Sequence, residues 1–374
     1  MKKREFYYPS ADGRTQIHAV EWRPDGDPVC VLQLIHGMAE YADRYDPFAR
    51  YLADRGILVT GNDHLGHGKS VGENHPYGYF CHENAPDVLI EDVHALRVRQ
   101  QTGTGCGEQT AGEGQRAESR QTASAEWTEE SRQTANAGQP EQDRPQLPYL
   151  MLGHSMGSFI LRNYLCRYGE GLAGAVIMGT GMQPEKLLKI SLRLVRILTA
   201  LQGEKHKSGL VNALAFGAYN RRISHPASTM DWLSRDPEEV AKYNADPLCG
   251  FTFTLNGFQT LFTLIDRLHD KRRLEEMPKQ LPVRFIAGEM DPVGDYGRAV
   301  RQVYDSFLYV GMRDVSMKLY EDDRHELVNE ADRETAWKEL YEWIMKTVQA
   351  GGASERSESP ERSGSGIEKE PDHQ

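Results

Sequence analysis

The chain has 374 residues, 39% of them hydrophobic, and a formal net charge of −11 at pH 7. Such a length suits one large domain with insertions or two domains, and the acidic balance argues against a general nucleic-acid binder. Five scattered cysteines without C-x-x-C spacing indicate neither a disulfide framework nor a zinc cluster.

The N-terminal stretch MKKREFYYPSADG is basic but contains no apolar signal region, and nowhere does the sequence hold about 20 uninterrupted apolar residues. A signal peptide and a membrane span are therefore not expected. The sequence predicts a reducing, cytoplasmic location for the protein.

Short apolar runs alternate with segments of helical period along most of the chain. Strands are expected at residues 29–35, 57–61, 149–152, 173–178, 283–287 and 316–320. Helices are expected at residues 45–55, 88–99, 155–168 and 335–348. Because strands and helices alternate, the pattern predicts an α/β domain with a mainly parallel sheet.

Two segments differ in composition from the rest of the chain. Residues 101–147 contain no Val, Ile, Phe, Tyr or Met, and their sequence ESRQTASA returns nearby as ESRQTANA. Residues 350–374 contain six acidic and three basic residues among Ser, Gly and Pro. Neither segment can bury enough apolar surface to offset the entropy of ordering it, so both are predicted to be disordered. The first is an insert that enters the strand at 149–152 from the end remote from that strand's carboxyl edge.

Strand signals are absent between residues 182 and 250, so residues 183–250 are predicted to form a helical cap. The predicted core then comprises residues 1–100, 148–182 and 251–349. Residues 186–202 carry an apolar helical stripe and a basic one; the first contains Ile190, Leu194, Ile197, Leu198 and Leu201, and the second Lys189, Arg193 and Arg196. Such a helix packs on its own domain, lines an acyl-binding tunnel, or makes transient contact with an anionic membrane. The apolar residues of the sequence FTFTLNGFQTLF that follows the cap likewise suit a pocket or an ordinary core.

A candidate nucleophile lies in the sequence YLMLGHSMGSFILRNYL, which begins at Tyr149. The pattern G-x-S-x-G at residues 153–157 is short and is weak by itself. Here, however, a predicted strand precedes Ser155 and a predicted helix follows it. In a nucleophile elbow, the serine occupies a strained strand-to-helix turn, flanked by glycines because larger side chains would clash there. This context predicts that Ser155 is a nucleophile.

A catalytic serine needs a base to take its proton, and the base needs a carboxylate to orient it. Where such an elbow is catalytic, the acid and then the histidine follow the serine along the chain. Of the later histidines, His325 follows a predicted sheet strand and begins a loop before the last helix, so it is predicted as the base. The strand at 283–287 ends close to Asp291, which is predicted as the acid, with Asp295 as the competing candidate.

The oxyanion of the tetrahedral intermediate requires hydrogen-bond donors. One is expected from the backbone N–H of Met156, next to the nucleophile, and the other from the loop that follows the first predicted strand. In this loop, Gly37 permits an unusual backbone angle that aims the N–H of Met38 inward. A simple strand-exit turn is the alternative, and His36 is expected to be a positioning residue rather than a base.

Five motifs in order, HGMAEYADRY, NDHLGHGKSVG, GHSMGSFI, GEMDPVGDYG and YEDDRHELVNE, resemble those of the monoacylglycerol lipase and lysophospholipase branch of the α/β-hydrolases. The segment DWLSRDPEEVAKYNADPLCGF resembles bacterial members of that branch. The resemblance spans nearly all of the chain except the insert and the tail. It implies an α/β-hydrolase fold, with a mostly parallel central sheet flanked by helices and a helical cap. It also implies a catalytic set of Ser155, Asp291 and His325, with Met38 and Met156 as oxyanion donors.

The expected function is that of a serine ester hydrolase that acts through an acyl-enzyme on monoacylglycerols, lysophospholipids or similar small acyl esters. A peptidase or amidase on the same scaffold and a non-catalytic binding module are the alternatives. No cofactor is expected, and although His64 and His67 have a spacing that a metal could use, no third ligand has convincing spacing. The expected partner is a small acyl-ester or monoacyl-lipid substrate, with membrane contact through the cap as an option; the oligomeric state is not indicated.

Overall fold

The computed structural model describes residues 1–103 and 146–357, and a single eight-stranded sheet lies at its centre. The strands in chain order are β1 (Lys2–Pro9), β2 (Gln16–Arg23), β3 (Cys30–Ile35), β4 (Ile57–Asn62), β5 (Tyr149–His154), β6 (Gly174–Met178), β7 (Val283–Gly288) and β8 (Val315–Tyr320). Their order across the sheet is β1-β2-β4-β3-β5-β6-β7-β8. Strand β2 runs antiparallel to β1 and β4, whereas the strands from β4 to β8 are all parallel.

Helices cover both faces of this sheet. In chain order they are α1 (Asp46–Ala53), α2 (Ala85–Thr102), α3 (Met156–Tyr168), α4 (Glu185–Gln202), α5 (Gly209–Phe216), α6 (Pro237–Ala245), α7 (Leu255–Arg267), α8 (Lys271–Glu275), α9 (Arg298–Tyr309) and α10 (Arg333–Ser357). Short 3-10 helices occur at Ala42–Tyr45, Tyr219–Arg222, Asp231–Leu233 and Leu327–Asn329. Apolar residues of α2, α3, α7 and α9 form one core layer, and those of α1 and α10 form the other.

The predicted fold class is confirmed. The six predicted strands are present as β3 to β8, and their ends differ from the prediction by one or two residues. Strands β3 to β6 are buried along their whole length, which explains why each one is predominantly apolar in sequence. The hairpin of β1 and β2 was not predicted, because β1 lies at the edge of the sheet and most of its side chains are polar and exposed.

The sequence between Met182 and Gly250, all of which the structure describes, contains α4, α5, α6 and two 3-10 helices and no strand. Helix α4 packs against α7 through Leu188, Leu192 and Val195, which are its buried residues. Of the apolar stripe read from the sequence, Leu198 is partly buried against the core, whereas Ile190, Ile197 and Leu201 are exposed. The helix thus packs mainly through residues outside the predicted stripe and leaves most of that stripe exposed.

The proposed division into core and cap stays a prediction, and most of the segments predicted to be disordered, residues 101–147 and 350–374, lies outside the described residues. At the edges of those segments, α2 ends at Thr102 and α10 continues to Ser357. Across residues 1–103 and 146–357, no helix has both the length and the apolar character that a membrane span requires.

A buried carboxylate joins α2 to the turn between β1 and β2. The two carboxylate oxygens of Asp92 accept hydrogen bonds from the backbone N–H of Ala11 (2.7 Å) and the hydroxyl of Ser10 (2.9 Å). No cation pairs with this carboxylate, among the contacts of the described residues, and burial raises the pKa of Asp92 to about 7. The folded state therefore binds a proton more tightly at this group than the unfolded chain does.

Replacing Asp92 with Asn should stabilise the protein at pH 8 relative to the wild type. The wild-type carboxylate is ionised and buried at that pH. The neutral amide can accept the N–H of Ala11 through its oxygen and donate to the hydroxyl oxygen of Ser10 through its nitrogen. The stability difference between variant and wild type should grow by ~2–4 kcal/mol as the pH rises from about 4 through about 7, and then level off. Urea unfolding across this range measures it, with the exposed Asp54→Asn as control; an unchanged difference between pH 5 and pH 8 would contradict the assignment.

Candidate active site

The candidate nucleophile lies in a strained turn between β5 and α3. Ser155 has φ 53° and ψ −119°, a region of backbone space that residues other than glycine rarely occupy. Glycine is required on both sides, because a Cβ at Gly153 would lie 2.5 Å from the carbonyl oxygen of Gly157, and a Cβ at Gly157 would lie 1.9 Å from that of Ile35. A turn of this kind costs ~1–3 kcal/mol and persists only because the surrounding structure holds it.

The predicted base and acid are in contact. The Nδ1 atom of His325 lies 2.9 Å from Oδ2 of Asp291, and both side chains are buried. The other carboxylate oxygen of Asp291 accepts the backbone N–H of Val293 (2.8 Å). Because Nδ1–H donates to the carboxylate, Nε2 of His325 is the nitrogen that can accept a proton. The competing candidate, Asp295, instead pairs with Arg298 at the surface.

Ser155 lies beside this pair. It follows His154, whose ring centroid is 4.7 Å from that of His325. The hydroxyl of Ser155 makes no hydrogen bond with His325 among the contacts of the described residues, and its side chain is half-buried. Catalytic hydrogen bonds of this type are often formed only when substrate is bound. The structure thus brings together the three elements that carry Ser155, Asp291 and His325, at the carboxyl ends of β5, β7 and β8.

The predicted oxyanion donors lie on either side of the serine. Met156 is the first residue of α3, where backbone N–H groups have no partner within the helix. Met38 follows Gly37, and a Cβ at Gly37 would lie 3.0 Å from Cβ of Ser155. The prediction for the backbone of Gly37 is wrong, because the left-handed residue of this loop is Ala39, with φ 54°. Glycine is needed at position 37 for close approach to the serine.

A group of neutral histidines supports this loop. The His36 Nδ1–H donates to the carbonyl of Gly37 (2.8 Å), and its Nε2 accepts the backbone N–H of His64 (2.9 Å). Burial lowers the pKa of His36 well below its ordinary value and that of His64 to about 4. Both nitrogens of His36 are therefore occupied by backbone groups, which agrees with its expected role as a positioning residue.

A second support is a buried carboxylate, Glu40, which the sequence analysis did not single out. Its Oε1 accepts the backbone N–H of Gly37 (2.6 Å) and the hydroxyl of Tyr45 (3.0 Å), and lies 3.1 Å from Nδ1 of His154. Its Oε2 accepts Nη1 of Arg44 (2.9 Å). Burial alone would raise the pKa of Glu40, but the hydrogen bond and charge of His154, together with the charge of Arg44, hold it below its ordinary value.

His154 is the cationic partner of Glu40. Its Nδ1 faces Glu40, and its Nε2 lies 3.3 Å from the carbonyl oxygen of His325, so both ring nitrogens face acceptors. Burial alone would lower the pKa of His154, but the hydrogen bond and charge of Glu40 raise it above its ordinary value. This ion pair joins the oxyanion loop, the serine turn and the loop that carries His325.

Arg44 extends the network to the same loop through two hydrogen bonds to Glu326, of 2.8 and 2.9 Å. Glu40 and Arg44 occur four residues apart in the motif HGMAEYADRY, directly after the predicted oxyanion residues. This four-residue spacing of a glutamate and an arginine is the feature of the sequence that could have indicated their ion pair. His154 and Glu326 are adjacent to the predicted nucleophile and base, but their pairing with Glu40 and Arg44 depends on the fold.

A metal site at His64 and His67 gains no support from the geometry. Across residues 1–103 and 146–357, the one group of three or more ligand-type side chains that could converge on an ion is Asp323, Glu330 and Asp332. The guanidinium of Arg235 already pairs with all three of these carboxylates. That group is therefore an ion-pair network around an arginine.

The fold and the site together define a class of protein. A mostly parallel eight-stranded sheet, a strained serine turn after its central strand β5, and a buried His–Asp pair at the same sheet edge are the features of an α/β-hydrolase. Residues 26–108 and 104–332 match the family described as serine aminopeptidase, S33. The chain belongs to this family, and it is an enzyme of the serine-hydrolase class.

Known proteins of similar sequence and structure span nearly the whole chain. Monoacylglycerol lipase of Mycolicibacterium smegmatis is 26% identical over 324 residues, which cover 87% of this chain and 91% of that protein. Human monoglyceride lipase is 26% identical over 352 residues, or 92% of each chain. A thermostable carboxyl esterase from Bacillus coagulans, solved in complex with glycerol, superposes with a TM-score of 0.75 at 26% identity, covering 93% of this chain and 99% of that one.

Replacing Glu40 with Gln tests the buried ion pair. The amide can still accept from Gly37 but leaves His154 without an anionic partner, so burial should then dominate and lower the pKa of His154 below ~6.5. The free energy of unfolding at pH 7 should fall by about 3–5 kcal/mol. NMR titration of the imidazoles and urea unfolding measure the two effects.

The control for this variant is Glu185→Gln, which breaks an exposed pair with Lys189 and should leave the unfolding transition unchanged. An unaltered titration of His154 in the Glu40→Gln protein would contradict the ion pair.

Proposed function

We propose that this protein is a carboxylic-ester hydrolase that acts through a covalent acyl-serine intermediate. One observation carries the proposal: a buried His325–Asp291 pair, 2.9 Å apart, lies beside the strained turn that carries Ser155. A serine hydroxyl becomes a nucleophile when a histidine takes its proton and a carboxylate orients that histidine. The side chains of Asp291 and His325 are buried, and that of Ser155 is half-buried.

In the proposed reaction, Oγ of Ser155 attacks the ester carbonyl and its proton passes to Nε2 of His325. Asp291 accepts the hydrogen bond from Nδ1 and stabilises the imidazolium that forms. The N–H groups of Met38 and Met156 donate to the oxyanion, and His325 then protonates the departing alcohol. Water, activated by the same histidine, releases the acid from the acyl-enzyme. No cofactor takes part in these steps.

The proposed substrates are monoacylglycerols, lysophospholipids or similar small acyl esters. Two full-length relatives are named monoacylglycerol lipase and monoglyceride lipase, which supports this substrate class. The family description names an aminopeptidase, so an activity on amides is the main alternative. Purified protein should therefore be tested with p-nitrophenyl esters and monoacylglycerols of increasing chain length, beside aminoacyl amides. We expect turnover of the esters and little turnover of the amides.

Replacing Ser155 with Ala should lower kcat for p-nitrophenyl esters by at least ~10³-fold, because the nucleophile is lost while the fold is kept. The same variant should not react with a fluorophosphonate probe. Ser306→Ala, on the outer helix α9, is the matched control and should retain full activity and labelling of Ser155. If the Ser155→Ala protein hydrolyses esters normally, the proposed function is wrong. Absence of labelling in folded wild-type protein would favour a non-catalytic binding module.

We further propose that the substrate is collected at an anionic membrane surface by α4 and α5. Helix α4 presents the exposed side chains of Leu187, Ile190, Ile197 and Leu201, and α5 presents Leu210 and Leu214. Residues 185–216 contain six basic and two acidic residues in a chain with a net charge of −11. An apolar face with basic residues beside it is typical of helices that lie in the membrane interface. The protein would then be cytoplasmic and peripheral to the membrane.

Introducing two carboxylates into this face, as Ile197→Glu with Leu201→Glu, should abolish co-sedimentation with phosphatidylglycerol vesicles at low salt. Turnover of a soluble short-chain ester should be unchanged, since both side chains are exposed. The control is Leu308→Glu, an exposed leucine on α9, which should bind vesicles as the wild type does. Wild-type protein that fails to bind such vesicles, or a double variant that still binds them, contradicts the proposal.

A further inference from the structure

The imidazole of His325 has two aromatic rings as close neighbours. The ring of His154 lies 4.7 Å away between centroids, and the indole of Trp232 lies 5.0 Å away. Gly179 closes the edge of the ring, because a Cβ at this position would lie 3.1 Å from Cε1 of His325. His154 belongs to the serine turn, whereas Trp232 comes from the 3-10 helix Asp231–Leu233, within the region predicted as the cap.

The backbone of Trp232 is held by the residues that precede it. The side-chain oxygen of Asn220 accepts the N–H of Trp232 (3.0 Å), and its amide nitrogen donates to the carbonyl of Ser228 (2.7 Å). The carboxylate of Asp231 accepts the backbone N–H groups of Ala227 (2.7 Å) and Ser228 (2.9 Å). These contacts close residues 220–232 into a loop and fix the position of the Trp232 backbone.

An aromatic contact supports the indole itself. The ring of Tyr219 packs edge-on against Trp232 with 4.8 Å between centroids, and Phe216 packs against Tyr219 in turn. The indole therefore contacts Tyr219 as well as His325. Its side chain is half-buried, so replacement should not open a cavity in the core.

The residues after Trp232 dock on the loop that carries His325. The carbonyl of Leu233 accepts the backbone N–H of Glu326 (2.8 Å), directly after the histidine. The hydroxyl of Ser234 donates to the carbonyl of Asn329 (2.9 Å). Arg324, directly before the histidine, donates to the carbonyl of Ser234 (2.9 Å). The histidine is therefore flanked in sequence by two residues that bond to this segment.

Arg235 fastens the end of the segment to the same loop. Its backbone N–H donates to the carboxylate of Glu330 (3.0 Å), and its guanidinium donates to Asp332 (2.7 Å) and pairs with Asp323. A bidentate or branched arginine contact fixes geometry as well as charge. Hydrogen bonds and ion pairs thus join the segment that carries Trp232 to the loop that carries His325.

We propose that Trp232 is a positioning residue for His325. Its indole lies 5.0 Å from the imidazole between ring centroids, with the two planes tilted by 46°. It stabilises the imidazolium that forms when His325 takes the serine proton, because an indole ring attracts a cation within about 6 Å of its centroid. Asn220 and Arg235 hold Trp232 in this place. This inference rests on the proposed function for its kinetic consequences, but the contact of Trp232 with His325 can be tested without substrate.

The test compares Trp232→Ala and Trp232→Phe with Trp343→Phe, a tryptophan of α10 outside the site. We expect Trp232→Ala to lower kcat for a short p-nitrophenyl ester by about 10-fold with KM nearly unchanged, whereas Trp232→Phe retains most of the activity because it keeps an aromatic face. Arg235→Gln should lower kcat in the same way, and Arg235→Lys should restore part of it. Trp343→Phe should behave as the wild type.

The direct readout is the fluorescence of Trp232 as a function of pH. A protonated imidazole in contact with an indole quenches its emission, so the difference between wild type and Trp232→Phe should show a titration, and His325→Gln should remove it. This experiment needs no turnover, so it can succeed even where ester hydrolysis fails.

Three results overturn the inference: a folded Trp232→Ala protein with unchanged kcat, a change confined to KM, or a fluorescence difference without a titration linked to His325. If Trp232→Ala proves unfolded in a thermal melt, Trp232→Phe and Arg235→Gln decide by the same criteria. An inactive wild type with the titration intact overturns the proposed function and keeps the contact.

Discussion

The strained turn at Ser155 is the constraint on which the rest of the site depends. A residue other than glycine holds φ 53° only where the neighbouring backbone leaves it no alternative. Here the close approach of α3 to β3 provides that restriction, since Gly157 contacts the carbonyl of Ile35. The same close approach brings the oxyanion loop, which follows β3, against the serine. The position of Met38 is thus a consequence of the packing that strains Ser155.

Two networks of charge hold the loops around this turn. In the first network, Glu40 and His154 connect the oxyanion loop to the serine turn, and Arg44 pairs with both Glu40 and Glu326. On the cap side, Arg235 connects residues 231–236 to the carboxylates that surround His325. Both networks are buried or partly buried, so loss of one partner leaves an uncompensated charge. Together the two networks hold the loop that carries His325.

Much of this arrangement could be predicted from sequence because its signals are local. A strand buried on both faces is an apolar run, and the chain order of Ser155, Asp291 and His325 follows from the order of strands whose ends meet at one edge. The edge strand β1 lacks that signal because its side chains face water. Other features depend on the fold. The left-handed backbone angle lies at Ala39 rather than Gly37. Glu40 pairs with His154, and Trp232 contacts His325, although these residues are far apart in sequence.

In the proposed mechanism, Ser155 carries the acyl group of the ester substrate. Rapid quenching of wild-type protein with a p-nitrophenyl ester, followed by mass spectrometry of its peptides, tests this most directly. We expect an acyl adduct on the peptide that contains Ser155. It should form before steady state and be matched by a burst of p-nitrophenol equal to the enzyme concentration. Turnover of the ester without an adduct on Ser155, or with the adduct on another residue, would contradict it.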